Sequence, residues 1–463
     1  MTSAPATSPR FARLLAAVGP SFELDLRSLA LFRIALGVTL LVDLAIRATN
    51  LEVHYTNRGV VPLDLLIELG PRTAAYSLHG LVDSKLYVEA LFALHACAAI
   101  ALIVGFKTRV ASVVCWMLLA SLHARNYLVH MSGDRLMMMW LFWTFFLPVG
   151  ARMSIDCGSM ALRGSARYLS GAGAVILLQL VILYWGTVTA KSDPLWWNGG
   201  AIDIALQLRQ HAAPAGTWLQ RHRELTTLLT WATLAIESFG PLLLFVPRFR
   251  EAARMLAVVM FVGFHASLAL FMSIGLYPLF SILGWLAVIP TGFWDRLAPS
   301  AGKAPPEEME RRFAFPRLSS ALALGCFGLA AWGMIGIRVS ALAAPAPVEF
   351  ATKALRIDQN WNQFGPRPPE QSLLTVAHGV LPGGEKVSID ISGNQWVHYF
   401  SHMLGLANTE FRDRLLPELA RALCSDRFES VRVLMKVHRL HPGVSERLPD
   451  VEVVASRCVG VRR

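Results

Sequence analysis

Lys191, Glu237 and His265 are the residues of this chain best suited to proton chemistry, because each lies within or at the edge of a long apolar stretch. An ionisable group at membrane depth is costly and usually functional. Lys191 closes the run Tyr184-Trp-Gly186-Thr-Val-Thr-Ala-Lys191-Ser-Asp-Pro-Leu-Trp196-Trp197-Asn-Gly199. By spacing alone this run reads as an interfacial aromatic belt with a snorkelling lysine. Glu237 and His265 lie on successive antiparallel stretches, at depths differing by about 6 Å at the rise of an α-helix. They are expected in or near contact in the middle of the bilayer. Such a contact reads either as a hydrogen-bonded pair fixing the helix hairpin or as a proton-handling or substrate-holding pair. Arg33, Asp43 and Arg47 share the first apolar stretch, and the i,i+4 spacing of Asp43 and Arg47 predicts an intrahelical ion pair.

The elements that carry these residues are membrane helices. Of 463 residues 54% are hydrophobic and only 16% charged, against about 25% charged in soluble domains. Apolar stretches fall at 29–48, 86–105, 110–122, 136–150, 172–190, 226–247, 255–272, 276–290 and 318–341. This predicts an all-α polytopic membrane bundle of about nine transmembrane helices, judged against a span of roughly 20 residues. The stretches 110–122, 136–150 and 276–290 are short for a span.

Orientation comes from the loops. With the N-terminus inside, the inner segments 1–28, 106–109, 151–171, 248–254 and 291–317 hold 16 Lys and Arg over 87 residues. The outer segments 49–85, 123–135, 191–225 and 273–275 hold 9 over 88. That asymmetry is the positive-inside pattern and predicts a multi-pass protein of the plasma (inner) membrane with a cytoplasmic N-terminus. It also accounts for the net charge of +11, since no dense basic patch points to nucleic acid. Arg10, Arg13 and Arg27 precede the first apolar run, which no small-residue cleavage site follows, so residues 1–28 read as a cytoplasmic segment leading into an uncleaved anchor.

Beyond the last apolar stretch, which with the basic loop before it spans 301–341, the composition changes. Residues 342–463 are expected to form a small extracytoplasmic α+β domain. It opens with an Ala/Pro linker and the aromatic segment Gln359-Asn-Trp361-Asn-Gln-Phe364-Gly-Pro. A β-hairpin is predicted for 371–381 and 385–391 around Pro382-Gly383-Gly384, a helix near 408–423 and a strand near 429–438. Six cysteines without a CxxC pair argue against a zinc or iron–sulfur site, and no metal is expected. Outside the cytoplasm Cys424 and Cys458 could pair, whereas Cys97, Cys115 and Cys326 are expected as buried thiols.

An ordered set of segments resembles the membrane domain of the vitamin K-dependent γ-carboxylase family and its bacterial HTTM (horizontally transferred transmembrane) relatives, over about 25–300. They are Leu29-Ala-Leu-Phe-Arg33-Ile-Ala-Leu-Gly37, Gly105-Phe-Lys-Thr-Arg109, Gly133-Asp134-Arg135, and Phe146-Leu-Pro148 through Ser154-Ile-Asp156. The run from Tyr184 to Gly199, then Phe264-His265 and Phe271-Met-Ser-Ile-Gly275, complete it. The domain of this resemblance is expected at 29–300.

In the carboxylases a lysine amine deprotonates vitamin K hydroquinone. The oxygenated quinone then removes a glutamate γ-proton, and the carbanion takes up CO2. The resemblance therefore implies catalytic roles for Lys191, His265 and Asp134, and a substrate or cofactor pocket that includes Glu237, Arg33 and Trp197. It implies a reduced quinone as cofactor, with CO2 and O2 as co-substrates. The chain departs from the carboxylases in three places. Ala190 precedes Lys191 where they have a second lysine, Asp134 stands near where they have an active-site histidine, and the long region that engages their protein clients is missing.

The first expected function is a quinone-linked membrane carboxylase or epoxidase, a lyase or oxidoreductase acting at the outer face on an extracytoplasmic peptide or protein. The alternative is a non-catalytic scaffold or export-associated protein whose outer domain binds a partner. A transporter ranks third, because no paired broken helices or repeats are seen.

Overall fold

A computed structural model of the protein describes residues 19–71, 76–157, 167–297 and 316–458. Arg10 and Arg13 of the expected N-terminal anchor, and most of the basic loop before the last apolar helix, lie outside the described residues. The membrane domain contains helices α1 (Leu26–Ala48), α2 (Lys85–Val104), α3 (Thr108–Arg125), α4 (Ser132–Thr144) and α5 (Gly171–Ala190). It continues with α6 (Arg223–Phe239), α7 (Arg250–Phe271), α8 (Tyr277–Leu286) and α9 (Pro316–Arg338).

Six of these are long and apolar enough to cross a membrane: α1, α2, α5, α6 with its extension to Phe245, α7 and most of α9. The count rises to seven if α8 and the following Thr291–Leu297, bent by 84° between them, are one span. By length and apolarity alone, the expected figure of about nine is therefore not confirmed. The shortfall is the three short stretches. Arg109, Arg125 and His123 dilute α3, α4 has only 13 residues, and the third breaks after Leu286. The candidate spans leave large apolar side chains on the outside, such as Val38, Ile100, Val259 and Leu322, as a bilayer environment requires.

The loops sort to two ends, as the charge count grouped them. At one end Asp156 accepts from the Lys107 and Thr108 amides, both at 2.8 Å. Gly105, at φ +68°, ends α2 where an added Cβ would meet Arg33 and Ser154. Leu24–Asp25 pairs with Arg167–Tyr168, Arg254 donates to Glu23 O and Arg27 pairs with Asp295. At the other end Ser77 bonds Ser121 O, Asn126 bonds His54 O and the Ser273 amide bonds His211 O.

The C-terminal domain sits on that second end. An antiparallel sheet is built from β1 (Gln371–Val380), β2 (Lys386–Ile389), β3 (Ser430–His441), β4 (Val444–Arg447) and β5 (Val451–Arg457). β1 lies between β2 and β3, and the far edge of β3 is shared by β4 and β5. The predicted hairpin, helix (α11, Thr409–Leu423) and strand are present. The amphipathic helix α10 (Asn394–Leu404) and strands β4 and β5 were not anticipated. Tyr399 reaches Val60 O, His402 contacts Leu128 O and Arg414 pairs with Glu68. Cys424 and Cys458 form a disulfide, with Cα atoms 5.5 Å apart, closing the end of α11 onto the end of β5. Cys115 is buried as expected, but Cys97 is exposed on the outer face of α2.

Candidate functional site

A cavity of about 510 Å³ opens where the ends of α5, α6 and α7 meet the second end of the bundle. Each helix contributes one face. Tyr184, Thr187 and Lys191 lie at i, i+3 and i+7, the spacing that aligns residues along a helix. Thr233, Ile236 and Glu237 on α6 lie at i, i+3 and i+4, and Phe264, His265 and Leu268 on α7 at i, i+1 and i+4, each set on one side of its helix. The wall surface is mostly aromatic and aliphatic, with polar side chains such as Lys191, Glu237, His265 and Gln363 set into it, as in small-molecule sites generally.

Lys191 is 2% exposed, so it is no snorkelling anchor. Its Nζ lies 2.6 Å from Glu237 Oε2 and 4.8 Å from the centroid of the Trp196 ring. Lys191 follows the last residue of α5, and burial pushes its amine below the ordinary lysine range while the Glu237 carboxylate pulls it back up. A lysine withdrawn from water beside a carboxylate has a proton acceptor at hand.

The expected contact of Glu237 with His265 is replaced by two separate pairs. Glu237 takes Lys191 as its partner. The Tyr184 hydroxyl lies 2.8 Å from His265 Nε2 and accepts at 2.8 Å from the Trp285 indole. Phe261 stacks on Trp285 at 4.1 Å. Both residues line one cavity, but depth along a helix carries no information on which way its side chains face. His265 Nδ1 is buried and has no hydrogen-bond partner among the described residues, a polar atom that a ligand could engage.

The roof of the cavity comes from the aromatic segment that opens the C-terminal region. Asn362, Gln363 and Phe364 line it, and Phe364 O accepts from the Trp196 indole at 3.2 Å. This segment is pinned to α5 by Gln359, which exchanges two amide hydrogen bonds with Gln179, at 2.8 and 3.0 Å. Trp361 donates to Gln359 and Arg338 to Trp361 O. Gln179 is thus a polar residue within a span whose role sequence reasoning missed, although its type and depth were a signal.

Three other expected site residues stand away from the cavity. Trp197 is 60% exposed, and its neighbour Trp196 faces inward instead. Arg33 is buried against Ile103 O and Met153 O at the opposite end. Asp134 belongs to a separate buried cluster. It lies 2.6 Å from Arg47 and accepts from the Met131 amide. Arg47 also binds Asp43 at 2.8 Å, the predicted i,i+4 pair, and the Tyr55 hydroxyl at 3.0 Å. His123 lies 3.9 Å from Asp134 and 4.4 Å, ring to ring, from His130. Among the described residues no group of three or more His, Cys, Asp or Glu is placed to hold a metal ion.

Between the cavity and the C-terminal domain stand His211 and His398, 6.4 Å apart ring to ring. Burial lowers the pKa of both, that of His398 to about 4, so both are neutral at pH 7.

These features define a polytopic membrane protein with a buried lysine–carboxylate pair in an apolar cavity. The sequence model of the HTTM domain matches residues 23–291, and the chain belongs to that family, a relative of the γ-carboxylases. No curated protein and no solved structure matches the chain.

Proposed function

We propose that this protein is a membrane enzyme acting at the outer face, with Lys191 as the base in a cavity that takes a ring-bearing, lipid-soluble substrate or cofactor. The observation that carries this reading is the burial of Lys191 beside Glu237 within a cavity whose surface is mostly apolar. A reduced quinone suits the residues present: aromatic walls for its ring, and Lys191 and the unpartnered His265 Nδ1 for its oxygens. Such a group would supply a weakly acidic hydroxyl and the electrons for a reaction with O2. Lys191 in its neutral form accepts a proton, and Glu237 at 2.6 Å stabilises the resulting ammonium or takes the proton on. Tyr184 and Trp285 fix the His265 ring, and the Asn362–Phe364 roof limits water. Purified protein supplied with a quinol is expected to incorporate 14CO2 or form an epoxide. Neither product from any quinol tested would leave the scaffold reading.

The orientation rests on two observations. Loops sort to two ends, which supports traverses by the short α3, α4 and α8 as well as the six long helices, an odd total. The end bearing more lysine and arginine is then cytoplasmic, and Lys191 and the C-terminal domain lie outside. The disulfide between Cys424 and Cys458 fits an oxidising compartment. Fusions after Ala343 should give phosphatase activity and no cytoplasmic fluorescence, and the reverse pattern would invert the topology.

A further inference from the structure

The C-terminal domain holds a second cavity, of about 650 Å³, between the sheet, α10 and the Arg209–His211 turn. Five consecutive residues of β1, Leu373 to Ala377, line it. Side chains of a strand alternate between faces, so a cavity lined by an unbroken run follows the strand's edge rather than one face.

That edge is open. β2 pairs with β1 only from Ala377 to Val380, whereas β3 covers the other side of β1 along its whole length. Val380 O accepts from the Glu429 amide on the β3 side, and the Leu381 amide donates to Glu385 O on the β2 side. Alternation along an antiparallel strand then turns the N–H and C=O of Ala377, Thr375 and Leu373 toward β2. β2 ends opposite Ala377, so those of Thr375 and Leu373 have no backbone partner among the described residues. The unpaired stretch from Leu373 to Val376 is about 13 Å long at the strand rise. Unpaired edge groups are templates for an added strand.

The charges around the groove narrow the occupant. His211 and His398 are neutral. Arg209, at the rim, has no ion-pair partner among the described residues, and Asp390 is the other charged residue of the lining. His211 and His398 line both this groove and the cavity that holds Lys191.

We propose that an extended segment of another polypeptide docks in this groove as an added β-strand. It hydrogen-bonds to Leu373 and Thr375, with an acidic side chain beside Arg209, and points one end toward the histidine wall shared with the Lys191 cavity. The docking itself does not require chemistry at Lys191; only the direction of the bound strand rests on the proposed function.

The probe is a fluorescein-labelled hexapeptide of alternating valine and threonine with one central glutamate, titrated against the full-length protein in nanodiscs. A second peptide carries N-methyl groups on alternate amides. The first should bind saturably in the micromolar range, and the N-methylated one at least about tenfold more weakly, the effect of losing one or two hydrogen bonds. Thr375→Pro removes an edge N–H without touching the β1–β3 ladder, as proline at a sheet edge allows. It should weaken binding similarly, while Thr375→Ala binds as the wild type does. Arg209→Ala should lose affinity mainly at low salt. Lys191→Arg should bind normally, so a failure of catalysis and a failure of docking give different results. Absence of saturable binding to millimolar peptide overturns the proposal, and so does equal binding of the two peptides.

Discussion

Lys191→Met is expected to destabilise the protein by about 3–5 kcal/mol, because it leaves the Glu237 carboxylate buried without its partner. Glu237 is 4% exposed and its hydrogen-bond partner in the cavity is the lysine. Lys191→Met/Glu237→Met should recover most of the loss, since a buried ion pair replaced by apolar groups of similar volume is often neutral or stabilising. Lys191→Arg separates stability from chemistry. The guanidinium keeps the charge against Glu237 and the contact with the Trp196 ring, so the melting temperature should stay near that of the wild type. It cannot be deprotonated at working pH, so quinol-linked turnover should vanish. Thermal denaturation of the three variants, beside the 14CO2 and epoxide assays, reads both effects. Full turnover by Lys191→Arg would end the assignment of a base, and a stable Lys191→Met would show that Glu237 does not depend on the pair.

Where the chain could be read from sequence, one physical signal acted alone. Long apolar runs gave six of the spans, and the excess of lysine and arginine on one group of loops sorted the loops as the fold sorts them. The turn Pro382-Gly383-Gly384 marked its hairpin, and the i,i+4 spacing marked Asp43 and Arg47. Spacing failed where tertiary direction decides. Depth brought Glu237 and His265 to one cavity, but only helix rotation pairs them with Lys191 and Tyr184. Trp196 and Trp197 are indistinguishable by composition, and the short helix Pro194–Trp197 turns just one of them inward. The roof segment Gln359–Phe364 read as part of the outer domain because nothing local reveals that Gln359 is matched to Gln179, 180 residues earlier. The open edge of β1 was hidden for the same reason: it exists because β2 is short.

Arg47→Met is expected to be the most damaging substitution outside the cavity. Arg47 is 2% exposed and holds two carboxylates, Asp43 at 2.8 Å and Asp134 at 2.6 Å. Its removal leaves both buried carboxylates without their cation, so a loss of at least about 3–5 kcal/mol is expected, enough to lower the yield of folded protein. The cluster already holds one carboxylate more than arginine. Asp134→Asn removes that excess charge but keeps an oxygen for only one of the two donors, Arg47 on Oδ1 or the Met131 amide on Oδ2, so it should cost about 1–3 kcal/mol. The triple variant Asp43→Leu/Arg47→Met/Asp134→Leu takes out every charge of the tie and should lie closer to the wild type than Arg47→Met does. Asp134 was expected in the catalytic set because its segment resembles that of the carboxylases. Its place in this cluster, apart from the Lys191 cavity, predicts that Asp134→Asn retains any quinol-linked turnover of the folded protein. Chemical denaturation in detergent ranks the three variants, and the turnover assay on Asp134→Asn decides its role. Loss of turnover at full stability would return Asp134 to the chemistry, and an Arg47→Met as stable as the wild type would dissolve the tie.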